Sequence, residues 1–360
     1  MITAEAVIDL MALKNNLSFL AKKQPGSGMI AVVKGDAYGH GAIKVARTLN
    51  KQADGFAVAR LEEALILRKN GIEKPIILLE GCFSQEETIE AAQHHLEPVV
   101  QNDVQISWLK MLSQAQSIKL WMKIDTGMHR LGFYPHEVAS RHEILSALPA
   151  VQFPVGFVSH LSLADEPQDP QTDKQLACFK EVTAPFNGPK SLANSAALLT
   201  RPDICFDKAR PGIAMYGVSP MSGRCGQDEG IQPVMTLRSQ LIAVRSHLQG
   251  EPVGYGANWH ASEDTKIGVV AMGYGDGYPR SMPSGTPVWI NGRIVPLVGR
   301  VSMDMLTVDL GADTKDSVGD QVILWGPQNP VEQIAERVGT IGYELLIQLA
   351  PRVKRTYINE

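Results

Sequence analysis

The 360-residue chain has only four cysteines, Cys82, Cys178, Cys205 and Cys225, and none are paired as CxxC. That spacing suggests neither a disulfide framework nor a zinc site, and no metal is expected. No apolar run approaches the roughly 20 residues of a membrane-spanning helix. The opening MITAEAVIDLMALKNNL carries acidic residues and lacks the uninterrupted apolar core of a secretory signal. Neither sign of charge dominates, with 34 basic against 38 acidic residues, so the basic face of a nucleic-acid binder is not expected. The Gly-rich dinucleotide turn is also missing, because KGDAYGHG (34–41) does not fit GxGxxG. There is no low-complexity linker. What is present is a hydrophobic content of 44%, ordinary for a soluble globular protein, in a chain long enough for about two domains. A soluble, cytoplasmic protein is the expectation.

From residue 30 to about 216 one theme repeats: a short apolar run, a polar or turn residue, then a helix-compatible stretch. The runs are Ile30–Val33, Phe56–Ala59, Ile76–Leu79, Glu97–Val100, Leu120–Ile124, Val155–Ser159, Ser191–Ala193 and Gly212–Tyr216. Between them lie segments such as LEEALILRKNG (61–71), which closes on Gly71 as a helix should. Eight such alternations favour a parallel (β/α)8 TIM-like barrel, although an open doubly wound sheet shows the same pattern. After about residue 230 the segments become strand-like, with turn punctuation such as NGR (291–293), and a helical stretch follows from Val331 to about Leu349. The division expected is a barrel over 1–230 and a mostly β domain over 231–360. The opening TAEAVID (3–9) is compatible with either.

A barrel carries its active site at the carboxyl ends of its strands. There the chain offers Lys34, Asp125, His160 with Ser162, and Asn194 with Ser195. A lysine directly after a buried strand is out of place, because burial disfavours a charged amine. A neutral amine forms Schiff bases with carbonyls, and pyridoxal phosphate (PLP) is the obvious carbonyl to test. The bland reading is a lysine that snorkels into solvent. A PLP site further needs a phosphate cradle, a partner for the pyridine nitrogen and proton-transfer groups. LANSAA (192–197) and ARPGIAMYG (209–217) supply Ser195 and Gly212 for the cradle, although Ser195 also reads as a helix N-cap. Arg210, just before the eighth run, reads equally as a surface charge. Tyr255 and Tyr274 sit between glycines, where turn or interface residues are usual. Lys123 and Arg130 suit a salt-bridged strand, and Arg130 suits a carboxylate grip. His94 and His95 read as a helix end in solvent.

Together these residues resemble alanine racemase, a fold-type III PLP enzyme, along essentially the whole chain. The matching blocks are AVVKGDAYGHG (31–41), MKIDTGMHRLGF (122–133), VSHLSLAD (158–165), ANSAA (193–197), ARPGIAMYG (209–217), VGYG (253–256), GYGDGYPR (273–280) and GRVSMDM (299–305). The resemblance implies Lys34 as Schiff-base lysine and one catalytic base, with Tyr255 from the partner subunit of a homodimer as the other. It implies Tyr38, Ser195, Gly212, Ile213 and Tyr343 at the phosphate, Arg210 facing the pyridine nitrogen, and His160 beside the ring. Arg130 and the partner's Met303 backbone would orient the substrate carboxylate. Lys123 matches a lysine often carboxylated in this family. Tyr274 and Asp304 match an entrance that restricts substrate size. The reaction implied is interconversion of L- and D-alanine, for peptidoglycan supply or for catabolism. One departure is Gly35-Asp36 where many members have Ala-Asn, which sets a negative charge beside the lysine. Ser219 to Ile231 matches nothing in the pattern.

Three rival readings remain at this level. A PLP decarboxylase of basic amino acids would present an acid to the pyridine nitrogen and a cysteine on the second face, where this chain offers Arg210 and Tyr255. A broad-specificity amino-acid racemase differs in entrance shape. A non-catalytic PLP-binding barrel would lack the β domain that supplies Tyr255 and Met303.

Overall fold

Strand β1 (Glu5–Asp9) begins the fold in a computed structural model that describes residues 3–360. Asp9 caps the helix Leu10–Lys23 by accepting from the backbone N–H groups of Met11 and Ala12 at 2.9 and 3.0 Å. Leu10, Leu13, Leu17 and Leu20 bury one face of that helix, the 3.6-residue period of an amphipathic element. Eight parallel strands then close a barrel: β2 (Gly28–Val32), β3 (Gly55–Val58), β4 (Ile76–Leu78), β5 (Glu97–Val100), β6 (Trp121–Lys123), β7 (Gly156–Val158), β8 (Lys190–Ser191) and β9 (Lys208–Ala209). Strands such as GFAV and IIL are buried along their whole length, which is why they read as unbroken apolar runs.

The eighth strand is not where the sequence suggests. Gly212–Tyr216 was expected to be a strand, but Ile213–Tyr216 forms a buried 3₁₀ turn, and the barrel closes through β9 pairing with β2. Arg210 therefore follows the last strand, at its carboxyl end, instead of preceding it. Lys208–Ala209 spans two residues, too short to leave a periodic signal.

The remaining strands are β10 (Met235–His247), β11 (Thr265–Val270), β12 (Pro287–Ile290), β13 (Arg293–Val298), β14 (Leu306–Asp309), β15 (Gln321–Trp325) and β16 (Lys354–Ile358). The long β10 has an irregularity between Leu241 and Ala243 and pairs with both β15 and β11. These two pairings close the antiparallel succession β11, β14, β13, β12, β15 and β10 into a ring. β12 and β13 join through Asn291-Gly292, both at positive φ (46° and 85°), the conformation of a tight hairpin turn. The expected helix over Val331–Leu349 divides into Val331–Glu336 and Gly342–Ile347, after which β16 returns to the sheet.

The opening TAEAVID belongs to this second sheet, where β1 lies between β10 and β16. Buried Glu5 secures it, accepting from Arg238 Nε at 2.7 Å and from Thr356 Oγ1 at 2.5 Å. Among the described residues no helix is long and apolar enough to cross a membrane.

Candidate active site

The carboxyl ends of the barrel strands enclose a cavity of about 740 Å³. Lys34, Tyr38, Lys123, Arg130, His160, Ser195, Arg210, Gly212, Ile213 and Tyr343 all line it, contributed by segments far apart in sequence. Tyr255, Tyr274, Met303 and Asp304 do not.

Lys34 is half-buried and follows β2. The next turn is left-handed: Gly35, Asp36, Ala37, Tyr38 and Gly39 have φ of 61°, 51°, 55°, 53° and 80°. Outside glycine that conformation costs on the order of 1–2 kcal/mol per residue, so three successive non-glycine residues must be held there by their surroundings. Glu63 is one holder, with Oε1 accepting from Gly35 N at 2.7 Å and Oε2 from Ala59 N at 2.8 Å. Asp36 caps the following helix by accepting from Ala42 N at 2.7 Å. That bond engages the extra negative charge noted in the sequence.

Beside this turn, Ser195 Oγ accepts from the N–H groups of Gly212 and Ala214 at 2.9 and 3.2 Å. The N-cap expected of Ser195 is instead Asn194, whose side chain accepts from Ala197 N at 3.0 Å. Gly212 is required by close approach, since a Cβ there would stand 2.7 Å from the Tyr38 hydroxyl. Tyr38 and Tyr343 rings lie 6.0 Å apart, and burial pushes both phenols well up from their usual range.

Arg210 is buried, so the surface-charge reading fails. Its Nη1 donates to Ser191 Oγ at 2.5 Å and its Nη2 to Ser159 O at 2.6 Å, which fixes the guanidinium plane. Burial pulls its pKa down to about 10, which leaves it charged at neutral pH. Lys123, on β6, is pulled down to about 7, first by burial and then by the nearby positive charges of Arg210 and Arg130. His160 is held well below its ordinary value by burial and by Lys123, Arg210, Arg130 and Lys34, so it is neutral. Asp125 is held low despite burial, because Oδ1 accepts from the N–H groups of Gly127, Met128 and His129 at 3.0–3.1 Å. Four basic side chains, Lys34, Lys123, Arg130 and Arg210, thus line the cavity together with the acidic Glu80, Asp125 and Asp165.

Several supporting residues carry no sequence signal of function. Ser191 and Ser159 orient Arg210, and Glu63 holds the turn. Fully buried Gln175 donates to His160 O at 2.9 Å and accepts from Ser162 N at 2.9 Å, which fixes the loop after β7.

Tyr255, Tyr274, Met303 and Asp304 lie together on the β domain's surface. The N–H of Tyr274 donates to Ser302 O and that of Gly275 to Met303 O, while the glycines flanking Tyr255 sit against Arg300. Arg352 bridges Asp276 and Asp304, at 2.8 Å from each. Tyr255 is 71% exposed and Met303 54% exposed. The structure therefore gathers in the cavity ten of the fourteen residues that the resemblance assigns, together with Asp125, Ser162 and Asn194, and leaves these four on an exposed face. His94 and His95 are exposed at a helix end.

A barrel that gathers lysines, arginines and a hydroxyl–backbone cradle at its strand ends has the architecture of a barrel enzyme. Comparison with known proteins makes the class specific. The family described as "Alanine racemase, N-terminal domain" matches residues 8–220, and "Alanine racemase, C-terminal domain" matches 234–357. Alanine racemases of Shewanella woodyi and Haemophilus influenzae are each 53% identical to this chain, over 97% and 99% of both sequences respectively. The solved biosynthetic alanine racemase of Pseudomonas aeruginosa superimposes with a TM-score of 0.94 at 42% identity, covering 100% of both chains. That of Bacillus anthracis, solved with bound L-Ala-P, gives 0.89 at 30% identity, covering 100% of this chain and 96% of that one. The chain belongs to the alanine racemase family, and with it to the isomerases.

Proposed function

We propose that this protein interconverts L- and D-alanine with PLP, in a homodimer whose active sites are each completed by the partner's β domain. The observation that carries this reading is one cavity that brings Lys34, Arg130 and buried Arg210 together with the Ser195–Gly212 cradle. The donor set fits PLP: backbone N–H groups and hydroxyls for a phosphate, an amine for an aldehyde, a fixed guanidinium for a ring nitrogen. When bound, PLP supplies an electrophilic aldehyde and a conjugated ring that takes up electrons released at the substrate Cα.

In this reading Ser195, Tyr38, Tyr343 and the backbone at Gly212 and Ile213 hold the phosphate. Arg210 would face the pyridine nitrogen. A guanidinium donates and never accepts, so it would leave that nitrogen unprotonated and temper the ring's electron demand. Neutral His160 would flank the ring without adding charge. Arg130, joined by the Met303 N–H of the opposite protomer, orients the substrate carboxylate. Lys123 Nζ sits among cations with its basicity lowered, so a neutral amine is available to combine with CO₂. The resulting carbamate would pair with Arg130.

Lys34 Nζ and Tyr255 Oη then serve opposite faces of Cα. One removes the proton and the other delivers one, so either enantiomer is a substrate. Exposed Tyr255 and Met303, on the β domain and outside this protomer's cavity, support the shared-site arrangement. Tyr274 and Asp304 would narrow the entrance, excluding side chains larger than methyl where methyl itself offers little binding energy. D-alanine made this way suits peptidoglycan synthesis in the cytoplasm. We also propose the domain division 1–230 and 231–360, with β1 added to the second sheet.

A mixing experiment tests the shared site. Lys34→Ala and Tyr255→Phe proteins are expected to be inactive alone. Subunit exchange in equal amounts gives heterodimers in which one of two sites has both bases. Activity should recover to about a quarter of wild type. No recovery after proven exchange would mean that both bases come from one chain.

A further inference from the structure

His40 is the fourth residue of the AYGHG motif (37–41), and the reaction leaves it without a task. Its ring is completely buried. Nδ1 lies 3.0 Å from Ala37 O and 2.9 Å from Tyr38 O, both of which only accept. Nδ1 therefore carries the hydrogen and the ring is neutral. Burial and nearby Arg355 agree, pulling its pKa down to about 4. Among the described residues Nε2 has no hydrogen-bond partner.

We propose that His40 is a positioning residue: its Nδ1–H, bridging the carbonyls of Ala37 and Tyr38, locks the left-handed turn that presents Lys34 and Tyr38 to the cavity. This rests on the reading of those two residues as cofactor ligands.

Three sets of contacts support it. The His40 ring packs against Tyr216 with centroids 4.6 Å apart and planes tilted by 30°, and the Tyr216 hydroxyl donates to Val32 O at 2.9 Å, just before Lys34. Tyr38 lies on the same ring, at 5.0 Å. From the β domain, Arg355 Nε donates to Gly39 O and the Tyr357 hydroxyl to His40 O, each at 3.2 Å. The turn is thus gripped by an imidazole from within and by β16 from outside. Gly39 has no room for a side chain, since a Cβ would strike Leu346 O. The backbone N–H of His40 also donates to Ala37 O at 3.1 Å, and of these contacts only the imidazole reaches the Tyr38 carbonyl as well.

The amide nitrogen of asparagine can stand where Nδ1 does, whereas glutamine's stands nearer Nε2. The test compares His40→Leu, His40→Asn and His40→Gln with wild type in the full chain. PLP affinity is read by titration, and hydrogen exchange at Ala37, Gly39 and Gly41 is read with and without PLP. In His40→Leu, PLP should bind about tenfold more weakly and those amides should exchange about tenfold faster. His40→Asn should restore both and His40→Gln neither. Equal behaviour of the Asn and Gln variants, or unchanged exchange at the turn, would overturn the proposal. If His40→Leu does not fold, the Asn–Gln pair decides. If wild type binds no PLP, the reading of the site fails instead, and exchange in the apo protein still decides the role of His40.

Discussion

Lys123 offers a quantitative test of the cluster it forms with Arg210 and Arg130. A fall in its pKa from 10.5 to about 7 means that the folded protein disfavours the ammonium by as much as about 5 kcal/mol, at roughly 1.4 kcal/mol per pH unit. Lys123 opens onto the cavity, so solvent and small shifts of Arg130 relieve part of this, and about 2 kcal/mol is a realistic expectation. The sign follows from proton binding. Below about pH 7 the amine is charged in both states and the penalty is complete. Between about 7 and 10.5 the unfolded chain binds more protons, so stability rises with pH and the penalty disappears. Lys123→Met, similar in length and without charge, should therefore stabilise the protein by about 2 kcal/mol at pH 6. The gain should shrink at pH 9 and vanish by pH 10.5. Urea denaturation of both proteins in CO₂-free buffer measures it as a shift in midpoint at unchanged slope. A gain that is independent of pH, or a variant less stable than wild type at pH 6, would refute the electrostatic account. Added bicarbonate should stabilise wild type and leave Lys123→Met unmoved, because only the amine can take up CO₂.

Three further outcomes follow from the geometry. Lys34→Ala should lose any borohydride-reducible link to PLP together with racemisation, and a surviving link would remove Lys34 from its role. Tyr255→Phe should slow exchange of the L-alanine Cα proton with solvent by about 10²–10⁴-fold, the usual worth of a general base, while PLP affinity stays unchanged. Undiminished exchange would assign the second face to another group. Gly212→Ala drives a methyl towards the Tyr38 hydroxyl and should weaken PLP binding at least tenfold, read by equilibrium titration, without a comparable loss of thermal stability.

The barrel was legible because its strands are buried on both faces and leave compact apolar runs between amphipathic helices. The same rule misled at the end of the barrel. Ile213–Tyr216 is apolar because it packs in the core, and it does so as a 3₁₀ turn. The true last strand is two residues long and begins with a lysine. β16, KRTYI, escaped notice because its partner β1 lies at the other end of the chain, and its residues are only partly buried. Within the candidate site, motif and spacing led to the residues with reactive side chains. The left-handed turn after Lys34 could not be read, because Asp36 tolerates positive φ but Ala37 and Tyr38 have no local preference for it. Glu63 and Arg355, distant in sequence, contact the turn at Gly35 and Gly39. Ser191 and Gln175 were hidden for a related reason, since their importance lies in the groups they orient.

The most direct measurement is formation of D-alanine from L-alanine by the purified protein with PLP, alongside L-serine, L-lysine and L-arginine. The account predicts rapid racemisation of alanine and little of the long side chains. No turnover despite bound PLP would contradict the two-base site, and comparable turnover of lysine or arginine would contradict the narrow entrance.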